Sequence, residues 1–280
     1  MKLDVMGREA YAYTGGKPFD PALPCIVFIH GALNDHSVWT LLARWFAHHG
    51  HGVLAVDLPG HMRSAGPALA DVESLADWTL ALLDAAGVER AALAGHSMGS
   101  LVALEAAARA PQRITQLALL AIAAPMAVPK ALLELALSDP LAAIDRVVTF
   151  SYSTLAAKPS YPGPGVWLRG AGRALRRQVL AHQGDPLLFH TDFAACDRYV
   201  GAVGAAAKVS CPTTLVLAQA DQMTPVRAAA QIAVALHARV HTVAAGHSMM
   251  EESPDAVLSA LRGAFGPRHG SEEQPSHTAR

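Results

Sequence analysis

Short apolar runs and longer amphipathic stretches alternate along the first half of the chain. Residues 24–30 (PCIVFIH) are continuously apolar, and residues 37–49 (SVWTLLARWFAHH) space apolar side chains three and four apart before Gly50. The first pattern predicts a strand buried on both faces. The second predicts a helix that Gly50 stops. The same pair recurs as a strand over 52–59 and a helix over 74–88, then as a strand over 90–96 and a helix over 98–110 before Pro111. A strand over 115–124 follows. Residues 1–14 alternate more loosely and read as one or two antiparallel edge strands. Continuous apolar strands separated by helices predict an α/β fold, a mostly parallel twisted sheet with helices on both faces.

The alternation breaks at residue 125. Up to about residue 205 the pattern is helical, as in PKALLELALSDPLAAIDRVVTF, with a Pro/Gly-rich stretch over 158–172 that predicts a mobile segment. A structureless loop of this length does not suit a compact domain, so 125–205 reads as a helical cap insertion. The strand–helix pattern resumes with a strand over 213–221, a helix over 225–237, a strand over 238–245 and a helix over 254–265. The expected units are a core of 1–124 and 206–265, the cap of 125–205, and a polar, disordered tail of 266–280.

The order of elements gives meaning to one short motif. Residues 95–99 read Gly-His-Ser-Met-Gly, where a buried strand turns abruptly into a helix. A strand–turn–helix elbow of this kind holds a serine at the carboxyl end of the sheet, where open α/β sheets bind ligands. Ser97 is therefore the candidate nucleophile. Serine needs a base beside it at neutral pH. Among 14 histidines, His247 follows the last expected strand on a loop that opens at the same edge. His241 falls within a strand and His237 at a helix end. The base needs a carboxylate to orient it, and Asp221 ends the strand over 213–221. The position after the preceding strand reads Ala123-Ala124-Pro125 and offers no acid; Asp139, Asp192 and Asp197 lie remote in the insertion. For an oxyanion hole, the backbone N–H groups of Met98 and of Ala32, in the His30-Gly31-Ala32 turn, are the candidates.

Composition narrows the picture. About half the 280 residues are apolar (52%), so a large core needs neither disulfides nor metals. A net charge of -1 exerts no general pull towards nucleic acid or membrane. No apolar run of about 18 residues predicts a membrane span, and no leader-like segment opens the chain. Cys25, Cys196 and Cys211 are odd in number and lack ligand spacing, as expected of buried thiols in a cytoplasmic protein. No HExxH, paired CxxC or dinucleotide fingerprint suggests a metal or other cofactor.

With these residues in place, the chain resembles the α/β-hydrolase superfamily, and within it the capped serine esterases and lactonases. The resemblance rests on FIHGALNDHSVW (28–39), VDLPGHMRSAG (56–66), AGHSMGSLVALEAA (94–107), AQADQMTP (218–225) and AAGHSMMEESP (244–254). It implies hydrolysis of a small-molecule ester, lactone or thioester through an acyl-serine. Two departures stand out. Met62 replaces the glycine usual in D-x-P-G-H-G-x-S, and Ser248 replaces the aromatic residue often found after the histidine in carbon–carbon bond hydrolases. Ser97 separates the chain from similar enzymes that use an aspartate nucleophile. Acyl transfer, perhydrolysis, carbon–carbon hydrolysis and non-catalytic ligand binding are the alternatives. Expected substrate-binding residues are Trp39, with Phe150, Tyr152 and Trp167 from the cap; Met98 is expected beside them. Of Arg169, Arg173, Arg176 and Arg177, helical spacing puts the first two and either Arg176 or Arg177 on one face; that face is expected to be solvated rather than to clamp an acidic substrate, with uncharged esters as preferred substrates.

Overall fold

The computed structural model describes residues 1–153 and 167–266. Two antiparallel strands, β1 (Lys2–Val5) and β2 (Arg8–Tyr13), lead to β3 (Cys25–Ile29). A 3-10 turn at His36–Trp39 opens α1 (Thr40–His48). Then come β4 (Gly52–Val56), α2 (Val72–Ala85), β5 (Ala91–His96), α3 (Met98–Arg109) and β6 (Ile114–Leu120). Five helices follow: α4 (Lys130–Ser138), α5 (Pro140–Ser151), α6 (Leu168–His182), α7 (Leu188–Arg198) and α8 (Ala202–Ala206). The chain closes with β7 (Thr213–Ala218), α9 (Ala230–Ala235), β8 (Arg239–Val243), α10 (Met249–Glu252) and α11 (Pro254–Phe265).

The eight strands form one sheet in the order β1-β2-β4-β3-β5-β6-β7-β8, parallel from β4 to β8. All five residues of β3 are buried, because the pleat sends them alternately to two packed faces. Cys25, Val27 and Ile29 join a cluster with α2, α3, α8 and α9, while Ile26 and Phe28 join one with α1 and α11. A third cluster lies under the helical insertion, where Leu33 and Met62 meet Ile144, Leu188 and Phe189. Among the described residues, no helix is long and apolar enough to cross a membrane.

The elements differ from the sequence reading mainly at their ends. The apolar run over 115–124 leaves the sheet after Leu120, because Ala121 takes a left-handed φ of 52°. The run over 225–237 divides into a 3-10 turn and α9, and α10 is an addition. The expected mobile stretch 158–172 lies mostly outside the described residues, and 168–172 open α6. The tail is likewise outside them, apart from Gly266.

Candidate active site

Ser97 sits between β5 and α3 with φ 54° and ψ -120°, a conformation strained for any residue with a side chain. Its surroundings enforce it. The Ser97 N–H donates to Leu120 O of the next strand at 2.9 Å. A Cβ at Gly95 would stand 2.0 Å from Gly99 O, and one at Gly99 would stand 2.3 Å from Ile29 O. Only glycine permits the strand, the turn and the following helix to approach so closely.

The loops after β7 and β8 meet at the same edge. His247 is 3% exposed, and its Nδ1–H donates to Asp221 Oδ2 at 2.9 Å. The other Asp221 oxygen accepts the N–H groups of Met223 and Thr224, each at 2.8 Å. Thr224 also donates its hydroxyl to Asp221 Oδ2 at 2.8 Å, and that hydroxyl lies 3.2 Å from His247 Nδ1. Burial alone would raise the Asp221 pKa. The His247 imidazole and these hydrogen bonds override it and hold the carboxyl down to about 2. With Nδ1–H committed to the carboxylate, the neutral ring keeps its lone pair on Nε2. Thr224 thus belongs to this network.

His96 supplies a further link. Its Nε2–H donates to His247 O at 2.9 Å, and the two rings lie 4.9 Å apart. Burial, reinforced by His247, lowers its pKa to about 3, so it stays neutral. Nothing in the motif's spacing signals this contact, which depends on a loop 151 residues away.

Met98 is the first residue of α3, so its N–H has no acceptor one helical turn back. The turn bearing Ala32 is held on both sides. His30 Nδ1–H donates to Gly31 O at 2.8 Å and Nε2 accepts Leu58 N–H at 3.0 Å, while Leu33 N–H donates to Asp192 Oδ2 at 2.7 Å. Ala32, Ser97 and His247 line one cavity of about 330 Å³, with apolar walls from residues such as Leu132, Phe150 and Phe193.

The expected binding residues separate. Phe150 lines the cavity. Trp39 does not: it is fully buried, its ring 5.1 Å from Phe28 on the opposite side of the sheet. Tyr152 is buried with its hydroxyl donating to Glu251 Oε2, and Trp167 is 55% exposed; neither lines the cavity. The Met98 side chain lies in the core rather than the cavity wall. The rival acids are engaged elsewhere. Asp192 accepts from His61, Asp197 from Val128 N–H, and Asp139 caps α5. Asp35, His36 and Asp57 bring possible metal-ligating atoms within 4.8 Å of one another. Asp35 Oδ1 already accepts from Ser37, and Asp57 from His36 and Arg63.

The description "Alpha/beta hydrolase family" matches residues 26–260, and the chain belongs to that family. Solved structures of the same fold include the enol-lactonase from Burkholderia xenovorans LB400, with a TM-score of 0.79 and 22% identity over 94% of this chain and 98% of that one. The esterase EaEST from Exiguobacterium antarcticum has a TM-score of 0.79 and 17% identity, with the same coverage of 94% and 98%. At such identities the likeness is one of fold. Among sequence relatives, the (E)-2-((N-methylformamido)methylene)succinate hydrolase of Acinetobacter baylyi is 31% identical over 96 residues, 34% of this chain and 36% of that protein. The dihydrolipoyllysine-residue acetyltransferase component of the acetoin cleaving system of Pseudomonas putida is 41% identical over 99 residues, 35% of this chain and 26% of that protein. The matched stretches thus span between a quarter and about a third of these relatives' lengths.

Proposed function

We propose that this chain is a serine hydrolase that cleaves a small carboxylic ester or lactone through an acyl-Ser97 intermediate. The observation that carries the reading is the strained Ser97 elbow opening onto the same cavity as His247, whose other ring nitrogen is held by Asp221. Ser97 Oγ adds to the carbonyl carbon as His247 Nε2 takes its proton. The carbonyl oxygen becomes an oxyanion facing the N–H groups of Ala32 and Met98. Collapse breaks the bond to the alcohol, which leaves with the proton from His247. Water then gives a proton to His247 and its hydroxyl to the acyl carbon, and Ser97 departs reprotonated. The helices of 125–205 act as the cap over this site, since Leu132, Phe150 and Phe193 wall the cavity. The family assignment and the esterase and lactonase folds support hydrolysis; the ester class and the acyl-serine are this reading's own.

The test pairs a fluorophosphonate probe with p-nitrophenyl ester turnover. The wild-type chain reacts at Ser97 and releases p-nitrophenol, whereas folded Ser97→Ala does neither. Turnover by Ser97→Ala near the wild-type rate would overturn the reading.

A further inference from the structure

The four arginines of α6 are treated differently by the fold. Arg169, Arg173 and Arg177 recur every four residues, which places them on one helical face. That face meets α5: Arg169 donates to Thr149 Oγ1 at 3.2 Å, Arg173 pairs with Asp145, and Arg177 lies 3.6 Å from the same carboxylate. Arg176 is off this face. It is 4% exposed and lines the cavity with Ser97 and His247. Among the described residues its hydrogen bonding is a single bond, from Nη1 to Gly172 O at 3.1 Å, and its buried Nε has no partner.

A guanidinium this deeply buried is costly unless an anion compensates it. The protein supplies little. Glu251 is electrostatically coupled to Arg176. Yet among the described residues no carboxylate oxygen comes within the 4.0 Å of an ion pair with it, and Glu251 Oε2 accepts from Tyr152. Arg146 lines the same cavity, and no described lining residue is Asp or Glu. Among the described residues that line the chamber around Ser97, two are arginines, the exposed Arg146 and the buried Arg176, and none is an acid.

We propose that Arg176, assisted by Arg146, binds a carboxylate carried by the substrate, so that the enzyme acts on small esters or lactones with a free acid group. The proposal rests on the hydrolase reading above and revises the expectation of uncharged esters. The planar fork of Arg suits a carboxylate, with two parallel N–H···O bonds. A cavity of about 330 Å³ admits a short diacid half-ester. Apolar walls receive the methylenes, and Arg176 takes the charged end.

The experiment compares two p-nitrophenyl esters of equal acyl length, the hexanoate and the mono-adipate. The wild-type chain favours the adipate in kcat/KM. Arg176→Gln lowers the adipate-to-hexanoate ratio by roughly 10–100-fold, mostly through KM, as expected for a lost charge-assisted pair. Arg176→Lys restores part of it. A wild-type ratio near one, or an equal fall for both esters in Arg176→Gln and Arg176→Lys, overturns the proposal. A second arm needs no turnover: calorimetry of monomethyl adipate with Ser97→Ala shows binding, which the added Arg176→Gln removes. Absence of binding there, with Ser97 of the wild type still labelled by fluorophosphonate, sinks the carboxylate site and spares the hydrolase reading. Failure of both labelling and hexanoate turnover sinks the hydrolase reading instead, and the calorimetry still judges the carboxylate site.

Discussion

Asp221 gathers four hydrogen-bond donors, from Met223, Thr224 twice and His247, while remaining ionised. Asp221→Asn should preserve the fold and lower kcat by on the order of 10⁴, because the amide no longer holds the tautomer that leaves Nε2 free. Steady-state turnover within a few-fold of wild type would move the acid elsewhere. The same carboxylate shapes acid stability. Its folded pKa, about 2, lies below the ordinary carboxylate value. Its contribution is therefore complete above about pH 4 and lost as pH falls through the folded pKa. Thermal melts across this acid range should flatten in Asp221→Asn. Met62 poses a different residue-scale question. It stands with φ 39° where the resemblance leads one to expect glycine, yet its side chain is buried beneath the insertion. Met62→Ala loses the packing and keeps the strain, at a cost of about 2–3 kcal/mol. Met62→Gly removes the strain and should be more stable than the alanine variant by about 1 kcal/mol. Urea unfolding that ranks alanine at or above glycine would contradict this account.

At the scale of elements, the insertion is fastened to the core by a buried ion pair. His61, in the loop after β4, donates through Nε2 to Asp192 Oδ2 of α7 at 2.9 Å, and its Nδ1 faces Pro59 O at 3.1 Å. Both ring nitrogens thus meet acceptors, which requires the doubly protonated ring. Burial alone would lower the His61 pKa, but Asp192 beside it overrides this and raises it above the usual 6.5. His30, whose ring lies 4.8 Å away, stays neutral, because burial and the neighbouring His61 lower its pKa to about 4, and its Nε2 accepts Leu58 N–H. For a raised pKa the stabilisation is complete below the unfolded value and lost as pH rises through the folded one. Melting temperature should therefore decline as pH rises from about 6.5, and His61→Gln should remove that decline. An unchanged slope in the variant would assign it to other groups.

Across the whole molecule, stability should be uneven. β5 is wholly buried and paired on both sides, whereas α4, α5 and α6 pack through the separate cluster under the insertion. Native-state hydrogen exchange should find β5 amides opening only with global unfolding and α5 amides opening at lower free energy. Equal protection would argue for one cooperative unit. The centre of the sheet was legible in the sequence because β3, β4, β5 and β7 are buried along their whole length and read as unbroken apolar runs. The loops that carry Ser97 and Asp221 were legible because each follows such a run, whereas the strand before His247 is mostly exposed and its loop was found by its place at the end of the strand order. Trp39 misled because helical spacing reveals that a side chain is buried, not which side of the sheet it faces. Arg176 was grouped with its neighbours because four-residue spacing cannot choose between 176 and 177. Asp145, on another helix, makes that choice. His96 and Thr224 depend on contacts between distant loops, which no local pattern records. One shared atom has a wider consequence. Asp192 Oδ2 serves both His61 and the N–H of Leu33, the residue after Ala32. If α7 swings outward to admit a ligand, it gives up one of the bonds that hold that turn, so opening the chamber and loosening the turn are linked. Entry and readiness would then be successive states of one mechanical linkage.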